Sequence, residues 1–387
     1  MNPVPAFYDR LRALLKNGSF PLAYVDLSTF DQNADSLAKR AQPHPIRVAS
    51  KSLRCVALIE RVLKHPSYQG VLAYRGLEAV ELVRRGIQDV VVAYPVVNIA
   101  ELEAVAAEAS SITLMTDRPE HLERLHAVAE ARKIEFSIAV DLDVSSRWPG
   151  VFFGVRRSWI SSEARLAQYL AALKKFPRLK LVGAMGYEAQ IAGVSDRSAL
   201  MRFLKSRSMG DVRKIRRLRV EQIRAAGHAL RFVNGGGTGS LESSSQDPCV
   251  TELSAGSGLY QSTLFDDYRS FQSPPSAGFA LEVTRKPDEH FVTCFSGGYL
   301  ASGSVGFEKQ PTPVDPPGLQ LIKHEGAGEV QTPLQGADAS SLQIGDLVFF
   351  RHAKAGELCE RFNELHLISG EEIQKTPTYR GEGWNFG

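Results

Sequence analysis

The chain has little of what marks a secreted, disulfide-bonded or membrane-spanning protein. It contains only four cysteines in 387 residues, and none of them forms a Cys-x-x-Cys pair. That spacing argues against a disulfide framework and against a structural zinc site built from four thiolates. No apolar run approaches the roughly 20 residues that span a bilayer, and the charged N-terminal segment does not resemble a signal peptide. We therefore expect a cytoplasmic protein with no membrane partner.

The chain also lacks a strong excess of charge of one sign. Its net charge is only +3, from 46 Lys and Arg against 43 Asp and Glu. This balance does not indicate nucleic acid as a partner. Basic residues concentrate in one helical stretch, Ser198 to Ala226, which lacks the aromatic interleaving that base stacking uses. We interpret this stretch as a solvated helix face rather than an anion-binding surface.

Short apolar runs alternate with longer amphipathic stretches from about residue 20 to 255. Several of the short runs are continuous Val, Ile, Leu and Ala, which is typical of parallel strands buried on both faces. The alternation predicts βαβ units that close into a (β/α)8 barrel. The predicted strands are Leu22–Leu27, Ile46–Ser50, Val71–Ala73, Val90–Ala93, Ile112–Met115, Phe136–Asp141, Leu179–Met185, Leu230–Asn234 and Thr251–Leu253.

These nine strands are one too many for the barrel. The simplest resolution is that Leu22–Leu27 lies outside it and pairs with the C-terminal part of the chain. Proline and glycine become frequent after about residue 270, and long amphipathic helices disappear. We predict an α/β barrel over residues 20–270 and a β-domain over residues 271–387, which residues 1–19 join. The predicted strands of the β-domain are Phe279–Thr284, Phe291–Cys294, Gly328–Gln331 and Asp346–Phe350.

Lys51 is the first candidate for chemistry, because it directly follows a predicted strand. In βα barrels the active site lies at the C-terminal ends of the strands. A lysine there can lose its proton through partial burial and neighbouring cations, for which Arg47 and Arg54 are candidates, and its neutral amine attacks carbonyls. Taken alone, a surface lysine at a strand end explains the pattern as well.

Two glycine-rich segments follow the last two predicted strands. The first contains Gly236, Gly237, Thr238 and Gly239, and the second contains Gly256 and Ser257. Consecutive glycines let backbone N–H groups converge on an anion, and the hydroxyls add donors. Two such loops at adjacent strand ends indicate a phosphate site more strongly than one flexible loop would.

Arg147 and Tyr187 follow two further strands. Arg147 could stabilise an anionic oxygen of a cofactor, or it could form an ion pair with Asp141 or Asp143. Tyr187 could stack on a cofactor or bond to it, or it could pack at the barrel rim.

Together these segments resemble the fold-type III pyridoxal phosphate enzymes, which have an alanine-racemase-like barrel. Within that class the chain is similar to the D-threonine aldolase and D-serine dehydratase group, in the branch described as amino acid deaminase/aldolase. The resemblance rests on seven stretches that occur along the chain in the same order as in the family. They are Ala23–Leu27, Arg47–Cys55, Val92–Val97, Met185–Glu188, Val233–Ser240, Glu252–Gly258 and Phe350–Leu358.

The resemblance implies pyridoxal phosphate held as a Schiff base on Lys51. It assigns the phosphate loop to the two glycine segments, and it assigns Arg147 and Tyr187 to the surroundings of the pyridine ring and its phenolic oxygen. It also implies a homodimer in which the β-domain completes the partner's site. The implied reaction is cleavage or dehydration of a D-amino acid with a β-hydroxyl group. Racemisation is the alternative reaction, and a non-catalytic pyridoxal phosphate-binding protein is a further one.

The chain departs from the family pattern at two positions. Many relatives bind a divalent metal through a His-x-Cys or His-x-Asp pair, where this chain has His352 followed by Lys354. His352 and Cys359 could still meet around Zn²⁺, Mn²⁺ or Mg²⁺, or His352 could be a catalytic residue without a metal. Gln190 stands where relatives often have a histidine, which puts their acid–base arrangement in doubt.

Overall fold

The computed structural model describes residues 5–304 and 306–387. Residues 1–4 of the segment assigned to the second domain, and Val305, lie outside the described residues. The helices are α1 Pro5–Leu15, α2 Leu27–Ala41, α3 Val56–Leu63, α4 Gly76–Arg84, α5 Ile99–Ala106, α6 Pro119–Arg132, α7 Glu163–Leu173, α8 Ala189–Ala192, α9 Ala199–Ala225, α10 Leu241–Ser244 and α11 Ser257–Tyr260. None of these described helices combines the length and apolarity needed to cross a membrane.

The strands form a closed barrel, a larger open sheet and a small hairpin. They are β1 Leu22–Asp26, β2 Ile46–Ala49, β3 Tyr68–Ala73, β4 Val90–Val92, β5 Ile112–Thr116, β6 Phe136–Asp141, β7 Ser146–Trp148, β8 Val151–Phe153, β9 Leu179–Met185, β10 Phe232–Gly235, β11 Glu252–Ala255, β12 Ala277–Arg285, β13 Phe291–Phe295, β14 Thr312–Asp315, β15 Gln320–Leu321, β16 Gln331–Gln335, β17 Leu347–Arg351, β18 Glu364–Ser369 and β19 Glu372–Pro377.

The barrel is parallel and has the order β2-β3-β4-β5-β6-β9-β10-β11, with β11 pairing back to β2. All three residues of β4 are buried, because helices cover the outside while side chains fill the inside. The barrel interior is packed by one apolar cluster, which contains Val91, Met115, Ala139, Met185 and Phe232. The predicted barrel class is confirmed.

Strand β1 belongs to the second sheet and accounts for the surplus strand. It pairs antiparallel with β12 and parallel with β18 in a sheet of nine strands. Helix α1 packs on this sheet, where Tyr8 and Leu11 join a cluster with Tyr24 and Phe349. The start of β1 therefore ties the N-terminal segment to the C-terminal domain.

Two sequence predictions are wrong in detail. The strand predicted over Gly328–Gln331 begins only at Gln331 and runs to Gln335, because Thr332 and Leu334 are the residues that face the core. Pro333 interrupts that run in the sequence and hides it. Helix α9 is also not a purely solvated basic face, since Arg216 and Arg219 are buried and hydrogen-bonded.

Candidate functional site

Lys51 lies at the mouth of the barrel, on a short 3-10 turn that directly follows β2. It is exposed into a cavity of about 1150 Å³ at the C-terminal ends of the strands. The walls of this cavity come from many strand ends and from the second domain. Residues that contribute from successive strand ends include Ala49, Leu72, Ala93, Asp141, Met185, Asn234 and Ala255.

The nearest polar partner of the Lys51 amine is Tyr94, which sequence reasoning did not single out. The Nζ atom donates to the Tyr94 hydroxyl at 3.3 Å. Arg47, considered above as a neighbouring cation, pairs instead with Glu252 at 2.8 Å and with Asp89 at 2.9 Å. The signal that could have found Tyr94 is its place directly after the end of β4.

The first glycine loop lines the cavity through Gly236, Gly237 and Thr238. Gly236 has a φ of +80°, a conformation that favours glycine. A Cβ at Gly237 would lie 2.9 Å from the Ala192 Cβ and 3.2 Å from the Tyr187 ring. Gly239 is not part of the cavity wall, and a Cβ there would overlap the Ala192 carbonyl. At these positions the backbone of the loop therefore lies so close to its neighbours that a side chain larger than that of glycine would not fit.

A buried ion-pair network contacts this loop on the side away from the cavity. The Arg216 guanidinium donates to Glu188 at 2.9 Å and to the Gly186 carbonyl at 2.8 Å, and it also pairs with Asp247. Glu188 in turn accepts from the Ser240 hydroxyl at 2.9 Å. These charges are satisfied by one another, so they rigidify the loop rather than face the cavity.

The second glycine loop brings Gly256 and Ser257 beside the lysine turn. A Cβ at Gly256 would lie 2.6 Å from the Ala49 carbonyl and 2.8 Å from the Ser52 Cβ. The Ser257 and Ser52 hydroxyls are 3.0 Å apart. An amine, two closely packed glycine loops and several hydroxyls thus face one cavity, and this set fits the carbonyl and phosphate groups of pyridoxal phosphate.

Arg147 and Tyr187 both line the cavity. Arg147, on β7, pairs with Asp143 at 2.5 Å. Burial raises the pKa of Tyr187 to about 12, so its hydroxyl stays protonated at neutral pH. Two further arginines on the same wall, Arg156 and Arg157, were missed because nothing in their sequence spacing marks them.

Asp141 ends β6 in the cavity wall. Burial, with repulsion from Asp117 and Asp143, raises its pKa to about 7, although the positive charge of Arg157 opposes the shift. A carboxyl with such a pKa can exchange a proton near neutral pH. Gln190 does not line the cavity and donates instead to the Val144 carbonyl at 3.1 Å.

His352 and Cys359 do not form a metal site with a third ligand among the described residues. His352 is 2% exposed and outside the cavity wall, and neither ring nitrogen has a hydrogen-bond partner among the described residues. Burial lowers its pKa to about 3. The Cys359 thiol donates to the Leu53 carbonyl at 3.1 Å. Within residues 5–304 and 306–387, no three His, Cys, Asp or Glu side chains are grouped to hold a metal ion, so this donor set does not fit a divalent cation.

Residues 25–263 match the family described as "Alanine racemase, N-terminal domain". D-threonine aldolase from an Arthrobacter species is 23% identical over 241 residues, which is 61% of this chain and 60% of that protein. The chain therefore spans less than two thirds of that relative's length.

Two solved structures share the whole architecture. The D-threonine aldolase of Filomicrobium marinum superimposes with a TM-score of 0.81 at 19% identity, over 95% of this chain and 96% of that one. A cysteine-to-alanine variant of D-threo-3-hydroxyaspartate dehydratase, described as metal-free, gives a TM-score of 0.77 at 17% identity, over 94% and 98% of the two chains. At these identities the two structures support the fold.

Proposed function

The chain belongs to the alanine racemase N-terminal domain family, and from that premise we propose that it is a pyridoxal phosphate-dependent lyase for D-amino acids with a β-hydroxyl group. The observation that carries the proposal is the meeting of Lys51 and both glycine loops in one cavity at the C-terminal ends of the barrel strands. The matched relatives, named as a D-threonine aldolase and a D-threo-3-hydroxyaspartate dehydratase, support the substrate class.

Lys51 would hold the cofactor through its amine, while Gly236, Gly237, Thr238, Gly256 and Ser257 would surround the phosphate. When bound, pyridoxal phosphate supplies an electron sink for bond breaking at the substrate α-carbon. The remaining roles belong to the protein. Tyr94 orients the Lys51 amine through its hydrogen bond, and Tyr187 packs beside the first glycine loop.

Asp141 is the base that we assign to the substrate hydroxyl. In the aldolase route its carboxylate accepts the β-hydroxyl proton while the Cα–Cβ bond breaks, which yields an aldehyde and a smaller amino acid. In the dehydratase route the Lys51 amine, released when the substrate amine replaces it, takes the α-proton. The protonated Asp141 carboxyl donates a proton to the hydroxyl, which departs as water, and hydrolysis by one water then yields a keto acid and ammonia. We assign the base to Asp141 rather than His352 because Asp141 faces the cavity and His352 does not.

The cavity wall favours substrates whose side chain carries an additional negative charge. Arg156 and Arg157 both line the cavity. In the described part of the chain neither has a salt-bridge partner, although the positive charge of Arg157 acts on Asp141. The Arg156 guanidinium lies 4.4 Å from the centre of the Phe152 ring, which fixes its position. Unpaired arginines are suited to bind carboxylates in a bidentate manner. We therefore rank 3-hydroxy-D-aspartate above D-threonine as a substrate.

A homodimer is part of the proposal. Apolar side chains at or near the cavity rim are exposed, including Leu264, Leu300 and Phe307, with exposed fractions of 36%, 43% and 53%. Exposed apolar groups of this size are typical of protein interfaces. Light scattering on the eluted peak of a sizing column would measure the mass, and a monomer would contradict this part.

A substrate panel tests the proposed reaction. The purified protein with pyridoxal phosphate is incubated with 3-hydroxy-D-aspartate, D-threonine, D-serine and D-alanine, and the L-enantiomers serve as controls. We expect aldehyde, or ammonia with a keto acid, from the D-β-hydroxy substrates alone. Formation of L-alanine from D-alanine as the main reaction, or no product from any substrate, would contradict the proposal.

A further inference from the structure

Lys354 lies on a segment that packs against the turn carrying Lys51. It lies two residues after His352 on the segment that follows β17, and it lines the same cavity as Lys51. Gly356, on the same segment, packs so tightly on the lysine turn that a Cβ there would overlap the Lys51 carbonyl. The segment that carries Lys354 is therefore held against the turn that carries Lys51.

The ammonium group of Lys354 is fixed on the cavity wall by two partners. It donates to the Ser302 hydroxyl at 2.7 Å and lies 3.2 Å from a Glu357 carboxylate oxygen. Glu357 is itself held by the Ser302 backbone N–H at 2.7 Å. An ammonium group has three N–H donors, so one donor remains for a ligand. The side chain is 45% exposed, which leaves this donor accessible.

The residues around Lys354 do not supply what a divalent cation needs. A protonated amine is a donor and not a metal ligand. The His352 ring lies outside the cavity wall, and it packs edge-to-face with the Tyr260 ring at a centroid distance of 6.1 Å. The Cys359 thiol is committed to the Leu53 carbonyl and lies 3.7 Å from the Tyr260 hydroxyl. These side chains pack around Tyr260 rather than around a shared point in the cavity.

We propose that Lys354 supplies, as a built-in ammonium group, the positive charge at the substrate's β-hydroxyl oxygen, and that the protein has no resident divalent metal. This inference rests on the proposed function for the identity of the substrate oxygen. The free N–H of Lys354 donates to that oxygen and stabilises the negative charge that develops when Asp141 accepts its proton. Lysine is suited to this role because its ammonium is a compact point charge.

Metal content is the first test, and it does not depend on turnover. The wild-type holoenzyme is dialysed against EDTA, incubated with Mn²⁺, Zn²⁺ or Mg²⁺, desalted and analysed by mass spectrometry for bound metal. We expect a substoichiometric content of each metal before and after incubation. One tightly bound equivalent of any of them would overturn the proposal, whatever the substrate panel shows.

Substitution of Lys354 is the second test. In Lys354→Met we expect kcat/KM for the β-hydroxy substrate to fall about 10²- to 10³-fold, as for loss of one positioned donor, and the Lys51-bound cofactor absorbance to remain. Lys375→Met is the matched control, because it removes a Lys–Glu pair of the same domain outside the cavity wall. An unchanged kcat/KM in Lys354→Met, or activity that needs added metal in the wild type, would overturn the proposal. If the wild type releases neither aldehyde nor ammonia, it is the proposed function that fails, and the metal content still decides the question of a resident metal.

Discussion

The amine of Lys51 donates to the hydroxyl of Tyr94 across a distance of 3.3 Å, which joins the ends of two barrel strands that are not neighbours in the sheet. Strand β3 lies between β2 and β4, so this contact crosses the C-terminal end of β3. The hydrogen bond holds the Lys51 side chain over the cavity.

Substitution of Tyr94 tests this contact. In Tyr94→Phe we expect a fall in kcat of about fivefold, because one hydrogen bond contributes about 1 kcal/mol, with cofactor still bound. The pH at which the cofactor absorbance changes should also shift, since the phenol no longer accepts from the amine. Tyr299→Phe is the control, because Tyr299 bonds Ser296 outside the cavity wall. Identical titration curves in Tyr94→Phe and the wild type would argue against an orienting role.

Substitution of Gly237 tests the phosphate loop. The Cβ of Gly237→Ala would press on Ala192 and Tyr187 at 2.9 Å and 3.2 Å, so the loop must shift. We expect the dissociation constant for pyridoxal phosphate, measured by fluorescence titration, to rise by about tenfold or more, the effect of about 1.4 kcal/mol. Gly210→Ala is the matched control, since a Cβ there meets nothing within 4 Å on helix α9. Equal affinities in the two variants would place the phosphate elsewhere.

Substitution of Arg157 tests the charge selectivity of the cavity. In Arg157→Met we expect KM for 3-hydroxy-D-aspartate to rise about 10- to 100-fold, because a hydrogen bond to a charged group contributes about 1.5–3 kcal/mol. KM for D-threonine should change much less. Arg197→Met removes an exposed arginine paired with Asp267 and serves as the control. An equal rise in KM for both substrates would show that Arg157 does not distinguish substrates by the charge of their side chain.

The pH dependence of the reaction tests Asp141. Since its pKa is raised to about 7 by burial and neighbouring carboxylates, the carboxylate form that accepts a proton becomes abundant only above that pH. We expect kcat/KM for aldehyde release by the wild type to rise with pH through about 7 and then level off. In Asp141→Asn the rate should fall about 10²- to 10⁴-fold, and this limb of the profile should vanish. A limb that persists in the variant would belong to another group.

The sequence predicts the barrel well, because each buried strand is marked by a short apolar run within its own segment of the chain. Runs such as Val90–Val92 are apolar at every position, which is typical of a strand between two covered faces. The second domain is predicted less completely, since its strands alternate weakly and β16 contains Pro333. Strands β18 and β19 were missed because the polar residues of that hairpin, such as Lys375 and Gln374, resemble a loop.

The candidate site divides in the same way. Lys51 and the glycine loops are found from the sequence because each follows a strand directly. Tyr94 lies two residues after β4 and Asp141 ends β6, but their roles depend on which strand ends face each other across the barrel and on burial. Two other contacts join residues that are far apart in the chain. Arg47 pairs with Glu252, and Gly356 packs against Lys51. Such contacts are set by tertiary structure, and no local pattern encodes them.

Chemical trapping tests whether Lys51 carries the cofactor. The protein with bound pyridoxal phosphate is reduced with borohydride, digested with protease and mapped by mass spectrometry, with Lys51→Ala treated in parallel. We predict one phosphopyridoxyl group, on the peptide that contains Lys51, and none at a defined position in Lys51→Ala. Stoichiometric labelling of another lysine, such as Lys354, or no labelling of the wild type, would contradict the account.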